Sequence, residues 1–255
     1  MIDAINLCKT FSGKQVLKGL NLMIDTGITQ VIIGRSGCGK SVFLKHIIGI
    51  VRPDSGQVII DGKDITKMTS KELNKLRLSF GMLFQAAALF DSLTVAENVG
   101  FNLIEHTDLD KITIYKRVKE ALSLVGLYGA EDLMPSELSG GMQKRVGLAR
   151  AICIRPKIIL YDEPTTGVDP IMADAINDLI RMLHDRLEVT SVVVTHDMVS
   201  AYKIASDIAM LYDGRIIQRG SPEEIKNTND PIVKQFISGA SKGPITDGQH
   251  SDHKI

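Results

Sequence analysis

Gln30-Val-Ile-Ile33, Gly34-Arg35-Ser36-Gly37-Cys38-Gly39-Lys40-Ser41 and Val42 to Ile50 read as a buried strand, a glycine-rich loop and a helix in direct succession. The middle segment fits G-x-x-x-x-G-K-[ST], and the flanking strand and helix are the context that pattern needs. Glycines at 34, 37 and 39 let backbone N–H groups turn inward around a phosphate, and the helix N-terminus adds its positive end. Lys40 is then expected to reach the β- and γ-phosphates of a nucleotide, and Ser41 to ligate Mg2+.

Outward from this loop, short Ile/Val-rich runs alternate with stretches of helical period, which predicts an α/β domain with a largely parallel sheet. Leu78 to Leu83, Ile158 to Tyr161 and Ser191 to Thr195 are further buried-strand candidates. Asp3 to Leu7 and Val16 to Asp25, with Ser12-Gly13 as a turn, predict a small antiparallel sheet at the start. Thr69 with Glu72, and Ser221-Pro222-Glu223-Glu224, mark helix starts. From about 86 to 156 helical patterns dominate, as in Lys116 to Val125 and Met142 to Ile154, so a helical insertion is expected there. From about Ser238 the chain is polar and Gly-rich and is expected to lack a core of its own.

The 255 residues carry 30 Lys+Arg against 30 Asp+Glu and 44% hydrophobic residues. That is enough chain to bury a core, which excludes a disulfide mini-scaffold or bulk disorder. The zero net charge argues against a general nucleic-acid binder. No apolar run approaches the ~18 residues of a membrane span. Met1-Ile2-Asp3-Ala4 has no basic segment followed by an apolar one, so no signal peptide is expected. Cys8, Cys38 and Cys153 are odd in number and lack metal-ligand spacing, as expected of a reducing compartment.

A second acidic site narrows the chemistry. Ile158-Ile-Leu-Tyr-Asp162-Glu163 is an apolar strand ending in two acids, suited to an Asp that holds Mg2+ and a Glu that polarises an attacking water; alone it also reads as a solvated acidic turn. Shortly before it stands Leu138-Ser139-Gly140-Gly141-Met142, followed by a helical run. Here the chain resembles the ABC ATPases, whose LSGG signature falls at this position, and the resemblance covers nearly the whole chain.

The resemblance implies a P-loop NTPase (RecA-like) α/β core with an N-terminal antiparallel β subdomain and an inserted α-helical subdomain. It divides the chain into an ATPase domain, 1–237, with the helical part at 86–156, and a tail, 238–255, either flexible or docked on a partner subunit. It implies ATP bound by Phe11, Gly34, Arg35, Ser36, Gly37, Cys38, Gly39, Lys40, Ser41 and Val42. Ser139, Gly140, Gly141 and Asp169 would reach that ATP from a second copy of the chain, the two glycines leaving no room for side chains. Mg2+ falls to Ser41, Gln85 and Asp162, and catalysis to Glu163, His196 and Gln85. Phe11, matched to the adenine-stacking aromatic, reads equally as a core residue.

The segments Gly39-Lys-Ser-Val-Phe-Leu-Lys45 and Phe80 to Val95, Met142, and Gln235 to Ile245 are similar to the MlaF-type ATPases of Mla/Mce phospholipid transport systems. That implies a peripheral subunit on the cytoplasmic face of the inner membrane. Its partners would be integral-membrane permease subunits and an Mce-domain lipid-binding protein, with no nucleic acid. The alternatives are the ATPase of another ABC importer, for an amino acid or other small solute, or a cell-division-type ABC ATPase. Val42 and Val168 depart from the family's usual Thr and Leu. Ala86 to Phe90 reads either as helix core or as part of the groove where a permease docks.

Overall fold

The structure is a computed structural model that describes residues 1–247. Strands β1 (Ile2–Phe11) and β2 (Lys14–Ile24) form a hairpin, and β3 (Thr29–Ile33) runs into α1 (Lys40–Ile47). There follow β4 (Ser55–Ile60), β5 (Lys63–Asp64), α2 (Ser70–Arg77) and β6 (Phe80–Leu83). Helices α3 (Val95–His106), α4 (Lys111–Leu124) and α5 (Gly140–Cys153) come before β7 (Ile158–Asp162), with no strand between β6 and β7. The chain continues through α6 (Pro170–Leu187), β8 (Thr190–Thr195), α7 (Met198–Ile204), β9 (Asp207–Tyr212) and β10 (Arg215–Gly220). It closes with α8 (Pro222–Lys226), α9 (Pro231–Ser238) and α10 (Pro244–Asp247).

Two sheets result, ordered β2-β1-β4-β5 and β10-β9-β3-β8-β7-β6. The first is antiparallel. In the second, β9, β3, β8, β7 and β6 run parallel and only β10 is antiparallel. Its central strands are buried on both faces, and alternate residues feed two cores. Val31, Ile33, Ile159, Tyr161 and Val193 pack with the helices that follow β6, while Ile32, Leu160, Val192 and Val194 pack with α1 and the first sheet. Each such side chain contributes about 1.5–3 kcal/mol on burial, which is why the runs read as continuous Ile/Val rather than alternating.

Three hairpins use two-residue turns with both φ angles positive: Ser12-Gly13, Asp61-Gly62 and Asp213-Gly214. This is the turn whose twist matches paired strands. Only Ser12-Gly13 was read from the sequence, so β4, β5, β9 and β10 are additions. Leu78 caps α2 and β6 starts two residues later, at Phe80.

Helix α5 lies directly on β6, because a Cβ on Gly81 would fall inside van der Waals contact of the Ala151 carbonyl oxygen. Gly81→Ala is therefore expected to cost about 3 kcal/mol and lower the melting temperature by roughly 6–12 °C, as thermal unfolding would show.

Residues 248–255, the end of the expected polar tail, lie outside the described residues. Ahead of them the segment folds back on the domain. Gln235 Oε1 accepts from Ile245 N (2.8 Å), Gln235 Nε2 donates to Ala240 O (3.1 Å), and Ile245 joins the core.

Candidate active site

The phosphate loop leaves β3 at Gly34, where only glycine fits. Its φ is 154°, and a Cβ would strike the Leu211 carbonyl of β9. Gly37 and Gly39 take φ of 78° and 109°. Gly39 caps α1 without a side-chain hydrogen bond, so the first N–H groups of that helix meet no side-chain acceptor and suit an anion.

The Lys40 side chain is 5% exposed, and its Nζ donates to Gly34 O (2.8 Å) and Arg35 O (3.2 Å). The same Nζ lies 3.3 Å from Glu163 Oε1. Glu163 Oε2 is 2.8 Å from His196 Nδ1 and accepts from Thr166 Oγ1 at 3.3 Å. Glu163 itself has φ of 49°, an uncommon conformation for a residue with a side chain, and its N–H donates to Val194 O (2.9 Å). One carboxylate thus sits between a buried ammonium and a half-exposed imidazole. Beside it Ser41 Oγ donates to Asp162 Oδ1 (2.7 Å).

These groups meet because each follows the C-terminal end of a parallel strand: Lys40 and Ser41 after β3, Gln85 after β6, Asp162 and Glu163 at the end of β7, His196 after β8. Such edges are where α/β sheets hold ligands. Ser36, Gly37, Gly39, Lys40, Ser41, Val42, Gln85, Glu163 and His196 line one cavity of about 360 Å³. Arg35 and Cys38 face a neighbouring cavity of about 400 Å³, with Lys14, Gln15 and the Tyr212–Gly214 turn. Burial pushes the Cys38 thiol pKa up. Val16 lines both cavities but was read only as the start of a strand; its place on β2, remote in the chain from the phosphate loop, gave no signal of a site role.

Ser41 Oγ, Asp162 and the Gln85 amide oxygen are hard oxygen donors of the kind Mg2+ takes, with room for phosphate and water oxygens. Among the described residues no three His, Cys, Asp or Glu cluster into a protein-only metal cage. The chemistry of these oxygen donors fits Mg2+.

Four expected residues lie apart. Ser139 caps α5, its Oγ accepting from Met142 N (3.3 Å), and Asp169 caps α6, accepting from Ile171 N and Met172 N (3.0 Å each). Neither they nor Gly140 and Gly141 line the two cavities. The expectation of no room at both glycines holds only in part within one chain. A Cβ on Gly141 would meet the flexible end of Met172, whereas Gly140 faces open space. Phe11 ends β1, 42% exposed with Lys9 Nζ 5.4 Å from its ring centre, so it is no core residue, and it lines neither cavity.

The segment Ala86 to Phe90 is not helix, since α3 starts only at Val95 and Ala87 and Ala88 have φ of 58° and 50°. Ala87 is buried, while Phe84, Ala88 and Phe90 line an open groove of about 530 Å³ between α2, α3 and α5. Among the described residues, no helix is long and apolar enough to cross a membrane.

Residues 17–166 match the family described as ABC transporter. The chain is 40% identical over 251 residues to a Mycobacterium tuberculosis protein named "Probable ribonucleotide transport ATP-binding protein mkl", covering 98% of this chain and 70% of that one. It is 41% identical over 245 residues to the Haemophilus influenzae intermembrane phospholipid transport system ATP-binding protein MlaF, covering 96% and 93%. Its fold matches the ATP-binding cassette MJ0796, solved as a dimer in a post-hydrolysis state with ADP and Pi, at a TM-score of 0.80 and 34% identity, covering 87% and 99%. The chain belongs to the ABC transporter family, as one of its ATP-hydrolysing cassettes.

Proposed function

We propose that the chain hydrolyses Mg2+-ATP between two copies of itself and thereby drives a permease that moves phospholipid across the bacterial cell envelope. The observation that carries the chemistry is the contact of Glu163 with both Lys40 and His196, next to the Ser41–Asp162 pair. In this reading Lys40 and the loop N–H groups bind the β- and γ-phosphates, and Gln85, Ser41 and Asp162 hold Mg2+. When bound, Mg2+ neutralises charge on the phosphates. Glu163 accepts the proton of the attacking water, and His196 keeps that carboxylate aimed at the cavity. Ser139, Gly140, Gly141 and Asp169, remote from their own cavity, close the partner's, with Gly140 open to receive it.

The phospholipid assignment rests on MlaF, whose length this chain nearly spans, as well as on the quoted segments. The relative named for ribonucleotide transport favours a small-solute importer as the second reading.

The groove around Phe90 is the proposed seat of the permease. Phe90 is 44% exposed and its ring centre lies 4.7 Å from that of Phe101, an aromatic pair open to a partner. The subunit would then sit on the cytoplasmic face of the membrane, held by its permease. Capturing the chain from native membranes is expected to bring down a permease and an Mce-domain lipid-binding protein. Phe90→Asp should lose both while still binding ATP. A solute-binding protein in place of the Mce-domain protein would overturn the phospholipid reading, and undiminished capture by Phe90→Asp would overturn the groove.

A further inference from the structure

Helix α5 carries the signature loop at its N-terminus and is fastened along one face to the loop after β6. Close approach is possible because Gly147 faces Leu83 and Ala87, where a Cβ would come within 2.8 Å of Leu83 Cδ1. On either side of Gly147 stand two buried cations, Lys144 (6% exposed) and Arg150 (8%). Arg150 donates to Ala87 O (2.5 Å) and Ala88 O (2.7 Å), which holds the two positive-φ residues in place. Lys144 Nζ donates to the carbonyl oxygen of Gln85.

Stability does not account for Lys144. Burying an ammonium costs several kcal/mol, and an apolar side chain of similar length would pack there without that cost. Among the described residues, the one hydrogen-bond partner of the Lys144 side chain is the backbone of a residue whose side chain lines the phosphate cavity.

We propose that Lys144 is a positioning residue that sets Gln85 toward the Mg2+ site. Because it lies five residues beyond Ser139 on the same helix, it also ties the signature loop to the Gln85 of its own chain. A helix rise of about 1.5 Å per residue puts the two only about 7.5 Å apart along the axis. In a dimer with ATP at both composite sites, the loop touching one nucleotide is then mechanically joined to the metal site of the other. The inference rests on the reading of Gln85 and Ser139 given above.

The test measures ATP retention by equilibrium dialysis against Mg2+ concentration, in a Glu163→Gln parent that does not turn over. Lys144→Met is expected to fold with at most a modest fall in melting temperature and to need about tenfold more Mg2+ for half-maximal retention, the effect of one lost charge-assisted hydrogen bond. Lys144→Arg, which restores a donor, should return to near the parent's value. An unchanged Mg2+ requirement in Lys144→Met, with or without a change in melting temperature, overturns the proposal. If Lys144→Met does not fold, Lys144→Ala is read by the same criterion. If the parent retains no ATP at any Mg2+ concentration, the reading of the site itself fails, a result distinct from failure of Lys144 alone.

Discussion

Glu163→Gln is expected to retain ATP while phosphate release falls by at least about 10³-fold, the range that loss of a general base produces. The substitution keeps the side chain's shape, so an amide oxygen can still stand where Glu163 Oε1 now lies, 3.3 Å from Lys40 Nζ. What disappears is the basic oxygen and a negative charge. That charge lies beside the phosphate loop, where it opposes the γ-phosphate, so its removal should tighten ATP binding even as turnover stops. Single-turnover phosphate release with filter retention of labelled ATP separates the two effects. Turnover near the wild-type rate would remove Glu163 from its assigned role.

Lys40→Met is expected to behave in the opposite way, losing ATP affinity and turnover together. Its ammonium serves Gly34 O, Arg35 O and Glu163 Oε1 at once, and nothing else buried in the loop carries positive charge. One charge-assisted contact of about 1.5–3 kcal/mol corresponds to a loss of roughly 10- to 100-fold in affinity. Methionine fills the same space, so the fold should persist with a modest fall in melting temperature. Equilibrium dialysis would show the loss, and unchanged affinity would mean that the phosphates lie elsewhere.

The two variants also mark how far the sequence could be read. Lys40, Ser41, Gln85, Asp162, Glu163 and His196 are scattered over more than 150 residues, yet each follows a short apolar run. Parallel strands bring all such positions to one edge; the phosphate loop and the acidic pair showed in local pattern, whereas Gln85 and His196 were assigned through the family resemblance. The three glycines of the loop were legible for the same reason, since a positive φ leaves its mark on residue type.

Other features depend on which distant segments pack together. Strand β9, whose Leu211 carbonyl forces glycine at 34, has a hairpin turn at Asp213-Gly214 that the sequence displayed, but its place beside β3 did not follow from pattern. Ala86 to Phe90 read either as helix core or as part of a docking groove; it is not helix, and buried Arg150 holds Ala87 and Ala88 in a strained turn. Lys144 carries no local sign of its task, because a lysine on a helix is ordinarily solvated. Ser139 and Asp169 could not have been brought to the phosphate cavity by any reading of one chain, as they stand outside it here. Their assignment depends on a second copy.

Sedimentation of Glu163→Gln with and without Mg2+-ATP tests that dependence most directly. A shift from the 27.9 kDa chain to twice that mass is expected when ATP is added, abolished by a further Ser139→Glu change that places a charge against the partner's phosphates. A protein that binds ATP yet sediments as a single chain, or a dimer indifferent to Ser139→Glu, would contradict it.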